Sequence, residues 1–179
     1  MKIKEIFQKD YPNGKQLIYE YCTDRFYSVS LKQGNHKFTF EFEEKKLENK
    51  LHKRLESNFF SHHDAHYFQL IKNDFEVGVL VLTFHKWNNT LRIEELHIHE
   101  QYKRQGYGQE LITFSKDMAH KYKARSIMLE TQTLNYPAIS FYMKNGFEII
   151  GFNLNSYTNE DIENGEVRLE MGYKCLDQI

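Results

Sequence analysis

The stretch LRIEELHIHEQYKRQGYGQEL, residues 91–111, changes character twice. Leu91 to His99 reads as a strand, a short basic segment follows, and Gly106-Tyr107-Gly108 opens a helix. Over Gly108 to Tyr122 the helix places Leu111, Ile112, Ser115, Met118, Ala119 and Tyr122 on one face. A glycine loop entering a helix presents backbone N–H groups without intrahelical partners at the positive end of the helix dipole, which suits a phosphate or pyrophosphate. Lys103 and Arg104 add positive charge beside it. A plain strand-to-helix turn fits the same letters, so both readings stay open on the loop alone. Two nucleotide motifs are excluded. A P-loop needs Gly-Lys-Ser/Thr, whereas Gln109 and Glu110 follow Gly108. A dinucleotide fingerprint needs glycine where Leu111 stands.

Outward from this stretch, Tyr67 to Ile71 and Val77 to Phe84 read as strands, joined by Lys72-Asn73-Asp74 and followed by a turn at Trp87-Asn88-Asn89. Downstream, Arg125 to Thr131 is a strand, Asn135 to Asn145 a helix, and Phe147 to Phe152 and Glu166 to Tyr173 are strands. This alternation predicts an α/β sheet with helices packed against it. Upstream, Gln16 to Leu31 and His36 to Glu43 flank Gly34-Asn35 and predict a hairpin with Phe38, Phe40 and Phe42 on one face. Leu47, Leu51 and Leu55 recur every four residues among Lys and Glu and predict an amphipathic helix with a solvated charged face. With 2 prolines, 9 glycines and no repeat, the chain divides into an N-terminal elaboration, 1–64, and a core, 65–179, within one domain.

Composition sets the limits. At 179 residues with 40% hydrophobic and 15% aromatic side chains, the chain buries a real core. Twenty-four Lys and Arg against 25 Asp and Glu argue against a nucleic-acid binder while leaving room for a local anion site. The apolar run Val77 to Phe84 is far shorter than the roughly 20 residues that span a bilayer, so no membrane association is expected. Met1 to Asp10 lacks the apolar centre of a secretory signal, so the expected location is the cytoplasm, where Cys22 and Cys175 stay thiols.

The loop Lys103-Arg104-Gln105-Gly106-Tyr107-Gly108 resembles the acetyl-CoA loop of the GNAT acetyltransferase superfamily, Gln/Arg-x-x-Gly-x-Gly/Ala, with Lys in the first position. The block NYPAISFYMKNGF, residues 135–147, resembles the superfamily's second hallmark, in the same order and after the corresponding strand. Within the superfamily, Trp87-Asn88-Asn89, Ile93-Glu94-Glu95, Leu129-Glu130-Thr131-Gln132 and Tyr157-Thr158-Asn159 resemble the streptothricin acetyltransferase group. The resemblance covers roughly Ala65 to Tyr173. It implies the GNAT fold, a mixed, mostly antiparallel sheet splayed at the acetyl-CoA site with flanking helices. It also implies transfer of an acetyl group from acetyl-CoA to a primary amine by direct attack in a ternary complex.

Such a reaction must hold the coenzyme, free the amine lone pair, and manage charge on the carbonyl oxygen and the departing sulfur. The resemblance implies that N–H groups of Arg104, Gln105, Gly106, Tyr107, Gly108 and Gln109 meet the pyrophosphate beside Lys103. The resemblance also implies that Leu96, His97 and Ile98 offer backbone groups to the pantetheine and thioester, where one N–H would polarise the carbonyl. On the second motif the resemblance makes Asn135, Ala138, Phe141 and Lys144 candidate coenzyme contacts, with a solvated helix position as the equal alternative for Asn135 and Lys144. Tyr142 is the candidate acid for the thiolate, with a packed core tyrosine as its alternative. An alkylamine of pKa ~10.4 is almost wholly protonated at neutral pH, so a base is needed. Glu94 is the first candidate, Glu95 the second and Glu130 the third; a bulge typical of this strand prevents parity from choosing between the first two. These carboxylates equally suit electrostatic binding of a cationic substrate.

Trp87, Asn88, Glu130 and Tyr157 are candidate walls of the acceptor pocket. His97 and His99, with His62, His63 and His66, raise a metal site, but no third ligand has a recognisable spacing, and no metal is expected. The expected acceptor is a small cationic molecule such as an aminated antibiotic. A protein N-terminus or lysine, and a non-catalytic acetyl-CoA-binding module, are the alternatives. The aromatic hairpin is a candidate homodimer surface.

Overall fold

Apolar alternation and turn chemistry set the strands of the core where the sequence places them. The computed structural model describes residues 1–175. In chain order the elements are β1 (Lys2–Ile6), β2 (Gln16–Gly34), β3 (Lys37–Asn58), β4 (Ala65–Lys72), β5 (Phe75–His85), β6 (Thr90–Ile98), α1 (Tyr107–Lys121), β7 (Ser126–Gln132), α2 (Tyr136–Lys144), β8 (Glu148–Asn153) and β9 (Arg168–Lys174). Seven strands form one sheet in the order β1-β4-β5-β6-β7-β9-β8, while β2 and β3 pair as a separate hairpin. β1–β4, β4–β5 and β5–β6 are antiparallel, and β6–β7 is parallel. The turns close through residues that tolerate a left-handed backbone: Asn73 and Asp74 between β4 and β5, and Asn89 before β6.

The helix expected over Leu47, Leu51 and Leu55 is corrected, because β3 runs unbroken through it from Lys37 to Asn58. A spacing of four satisfies a 3.6-residue helix approximately and a two-residue strand period fully, so the three leucines share a strand face as readily as a helical one. Pairing with β2 decides the outcome. β1 is an addition that the sequence did not signal: Lys2 to Ile6 line up against Ile71 to Tyr67 and extend the sheet beyond β4.

By contact the chain forms two compact units. The first comprises residues 1–20, 54–129 and, at the C-terminal side, 172–175; the second comprises 21–53 and 130–171. In the first, Ile6, Leu17, Phe59, Phe60, Val79 and Val81 make a core cluster with Tyr11, Tyr19, Ala65 and Tyr67 packed against it. α1 buries Tyr107, Leu111, Ile112, Ser115 and Ala119. Burying each large aliphatic side chain contributes about 1.5–3 kcal/mol, and the Ser115 hydroxyl is satisfied by the Leu111 carbonyl at 2.8 Å. In the second unit, Phe40 and Phe42 of the hairpin both pack on Phe152, with ring centroids 4.5 and 5.4 Å away.

Candidate active site

β5 and β6 pair in register from His85–Thr90 to Leu82–Ile93, and then Val81 opposes Glu95. Glu94 is therefore the extra residue of a β-bulge. The parallel ladder between β6 and β7 pairs Thr90–Ile93 with Ser126–Leu129, immediately before the bulge.

The bulge lets both carboxylates reach one group. The His62 ring lies 3.3 Å from Glu95 Oε1 through Nε2 and 4.0 Å from Glu94 Oε2 through Nδ1. Glu95 also accepts from Ser57 Oγ at 3.0 Å and from the Tyr19 hydroxyl. Glu94 accepts from Arg92 Nε at 3.0 Å, with His85 Nε2 3.9 Å from its other oxygen. Both carboxylates are only about one-sixth exposed, at 16% and 15%. Burial pushes the neighbouring His97 down to about 4, helped by the charges of His99 and Lys103, so this ring is neutral near pH 7. It meets the Tyr19 ring edge-on at 4.9 Å. His97 and His99 also border a cavity of about 300 Å3, together with Leu17, Ile18, Glu20 and Arg54. Among the described residues no three His, Cys, Asp or Glu side chains are placed to hold a metal ion.

The glycine loop has the backbone that an anion cradle needs. Arg104 and Gly106 have φ of +61° and +89°, and a Cβ at Gly106 meets nothing within 4 Å. Glu110 N–H makes its bond back to the Gly106 carbonyl at 3.2 Å, so the N–H groups of Tyr107, Gly108 and Gln109 precede the helical ladder. The backbone therefore fits a pyrophosphate. The side chains behave differently from one another: Lys103 Nζ is held by Glu100 at 2.6 Å and the Glu20 carbonyl at 2.7 Å, whereas Arg104 is exposed. Gln105 Nε2 donates to the Gln101 carbonyl at 2.9 Å. Tyr107 turns inward, its hydroxyl bonded to Lys72 Nζ.

Trp87 and Asn88 stand in the turn before β6, at the opposite end of that strand from Leu96 to Ile98. Trp87 is 84% exposed, and Asn88 is tied to Thr90 Oγ1 at 2.8 Å and, through its carbonyl, to Arg125 Nε at 2.8 Å.

The second unit carries the remaining candidates. Asn135 caps α2, its side-chain oxygen accepting from the Ala138 N–H at 3.3 Å. Tyr142 is buried, edge-on to Phe141 and Phe147, while Lys144 is exposed. Glu130 accepts from the Tyr157 hydroxyl at 2.5 Å and pairs with Arg168 at 3.1 Å. Burial and the Glu130 carboxylate raise the Tyr157 phenol far above its ordinary value, so it stays a donor.

The Tyr157 loop is held by a residue that the sequence reading missed. Asp161, 1% exposed, accepts from the N–H groups of Ser156 at 2.7 Å, Tyr157 at 3.0 Å and Thr158 at 2.7 Å, and from Thr158 Oγ1 at 3.0 Å. Burial alone raises an acid, but these donors outweigh it and hold Asp161 below its ordinary value. A group depressed in the folded state contributes stability above its unfolded pKa of ~3.9, lost as pH falls through the folded value. Asp161→Asn is therefore expected to melt at a lower temperature than the parent near pH 7. The gap should narrow as the pH drops below about 4, as followed by thermal unfolding across pH.

The mixed sheet with its bulge in β6, leading into the glycine cradle at the start of α1, is the architecture of an acetyltransferase fold. The chain belongs to the Acetyltransferase (GNAT) family, whose family profile matches residues 5–147. It is 30% identical over 98 residues to streptothricin acetyltransferase of Streptomyces lavendulae, covering 55% of this chain and 51% of that protein. It is 37% identical over 71 residues to streptothricin acetyltransferase of Escherichia coli, covering 40% and 41%. The chain thus spans about half the length of the curated relatives it matches. Its fold is shared with the crystal structure of nourseothricin acetyltransferase, at a TM-score of 0.78 and 24% identity over 97% of this chain and 98% of the other. It is shared also with a Bacillus anthracis str. Ames protein described as a streptothricin acetyltransferase and solved in complex with acetyl coenzyme A, at a TM-score of 0.74 and 24% identity over 97% of each chain.

Proposed function

We propose that this chain moves an acetyl group from acetyl-CoA to a primary amine of a small cationic molecule by direct attack in a ternary complex, with an aminated antibiotic of the streptothricin class as the leading acceptor. The observation that carries the reading is the Glu94 bulge on β6 together with the glycine cradle into which that strand leads at the start of α1. The streptothricin acetyltransferase relatives support the choice of acceptor.

In this reading the N–H groups from Arg104 to Gln109 bind the pyrophosphate. The backbone of Leu96 to Ile98 takes the pantetheine, with one N–H polarising the thioester carbonyl. Glu94 is the base. Both oxygens of Glu95 already accept from Tyr19, Ser57 and His62, whereas among the described residues Glu94 has one hydrogen-bond donor, Arg92 Nε, with the His62 and His85 rings farther off at 4.0 and 3.9 Å. Tyr142 donates to the departing thiolate; Asn135, Ala138, Phe141 and Lys144 accompany the coenzyme; Glu130 and Tyr157 meet the acceptor. Trp87 and Asn88, at the far end of β6, are left out. Residues 65–179 hold these groups, and the elaboration 1–64 adds Tyr19, Ser57 and His62 around the glutamates.

Thiol release from acetyl-CoA across streptothricin, polyamines and a peptide tests the proposal. The expected result is release with streptothricin and a product heavier by one acetyl group. Release with the peptide alone moves the acceptor to protein. Acetyl-CoA binding without release on every acceptor overturns the enzyme reading in favour of a binding module.

A further inference from the structure

We infer that His62 carries the proton away from Glu94, with Glu95 holding the imidazole in the tautomer that does so. The inference rests on the proposed role of Glu94 as base. His62 belongs to the loop between β3 and β4, and its backbone is clamped by one hydroxyl: Tyr67 Oη accepts from the His62 N–H at 3.1 Å and donates to the His62 carbonyl at 2.7 Å. The clamp presents the ring edge-on to the two carboxylates of the bulge, with Nε2 3.3 Å from Glu95 Oε1 and Nδ1 4.0 Å from Glu94 Oε2.

Glu95 is pinned independently by Tyr19 from β2 and Ser57 from β3, so it is a fixed acceptor for Nε2–H. A neutral imidazole that donates from Nε2 has its lone pair on Nδ1, the atom facing Glu94. Among the described residues, the charged and titratable groups that face this arrangement include Arg92 and His85 on Glu94, Tyr19 on Glu95 and Tyr67 on the loop. His62 is also the more exposed partner, at 26% of its side chain against 16% for Glu94, and so offers the way out to water.

The proton balance closes without any further reactant. The ammonium N–H bond breaks, its electron pair stays on nitrogen for attack, and the proton forms an O–H bond on Glu94 Oε2, the oxygen that faces His62 Nδ1. As the 4.0 Å gap shortens in this neutral acid, the proton passes to Nδ1. The imidazolium, still bonded to Glu95 through Nε2–H, releases the Nδ1 proton to water and restores both the base and the tautomer.

The test uses the full chain with the amine acceptor found above. His62→Gln keeps a donor for Glu95 but cannot carry a proton; His62→Ala removes both. Expected are a fall in kcat of about 10–100-fold in either variant, an amine KM within about twofold of the parent, and recovery of His62→Ala by added imidazole, with melting temperatures confirming that both fold. A kcat within twofold of the parent, or a loss that imidazole does not restore, overturns the inference.

Nitrogen-15 NMR of the imidazole supplies a readout independent of turnover. The Nε2–H tautomer is expected in the parent and should become mixed in Glu95→Gln. A mixed tautomer in the parent, with acetyl transfer intact, overturns the inference alone. The Nε2–H tautomer in a protein that acetylates no amine overturns the acetyltransferase reading and, with it, the proton-carrying role, leaving only the geometry.

Discussion

Gly78→Ala is expected to destabilise the chain by about 2–3 kcal/mol and to weaken acetyl-CoA binding by roughly 10–100-fold. Gly78 lies in β5 directly opposite Ile98 of β6. A Cβ built there falls 2.5 Å from the His97 carbonyl oxygen and 2.5 Å from Ile98 Cδ1. The Ile98 side chain can change rotamer, but the His97 carbonyl is backbone. It lies in a segment tied to β5 by the bond from His99 N–H to the Val77 carbonyl at 3.1 Å.

Relief therefore requires β5 and β6 to separate at the edge proposed to receive the pantetheine, so one substitution strains fold and cofactor site together. For a chain of this length the penalty corresponds to a melting temperature lower by roughly 5–10 °C. Thermal unfolding and calorimetric titration with acetyl-CoA check the two halves separately. An unchanged melting temperature would show that the two strands accommodate the methyl group without moving. At Gly106 the requirement is different in kind, since φ is +89° and the space beyond is open; there the backbone angle, and not a contact, calls for glycine.

The same contrast explains what the letters disclosed. Strand and helix order from Ala65 onward was legible because each element is patterned locally and bounded by residues such as Asn73-Asp74 or Asn89 that favour the turn backbone. The glycine cradle was legible for the same reason, as its geometry is set within six residues. What remained hidden is set by partners distant in the chain. The leucines at 47, 51 and 55 fit two periods, and only β2 selects the strand. The choice between Glu94 and Glu95 depends on where β5 slips register, between Val81 and Leu82. Tyr19, Ser57 and His62 converge on Glu95 across 76, 38 and 33 residues, and no local pattern announces such a shell. The Asp161 carboxylate accepts from residues three to five before it, yet a single acidic residue in a polar stretch gives no sign of being buried.

Glu94→Gln is expected to lower kcat by about 100- to 10,000-fold near neutral pH while leaving the amine KM close to the parent's. Glutamine keeps the shape of the side chain and an oxygen for Arg92 Nε, so the bulge and its packing persist while the capacity to take a proton is lost. Turnover in the variant then depends on acceptor that is already neutral. For an alkylamine of pKa ~10.4 that fraction is on the order of 0.001 near pH 7.4 and rises about tenfold with each pH unit. The variant's rate should climb with the same slope, and its deficit against the parent should shrink steadily as the pH approaches that of the free amine. Were Glu94 instead an electrostatic anchor for a cationic acceptor, the substitution would raise KM and leave the pH slope of kcat equal to the parent's. Steady-state rates between pH 6 and 9 at saturating acetyl-CoA separate the two. Glu95→Gln serves as the comparison: because that carboxylate is already occupied by Tyr19, Ser57 and His62, its loss should act through the orientation of His62 and should not produce the tenfold-per-unit climb.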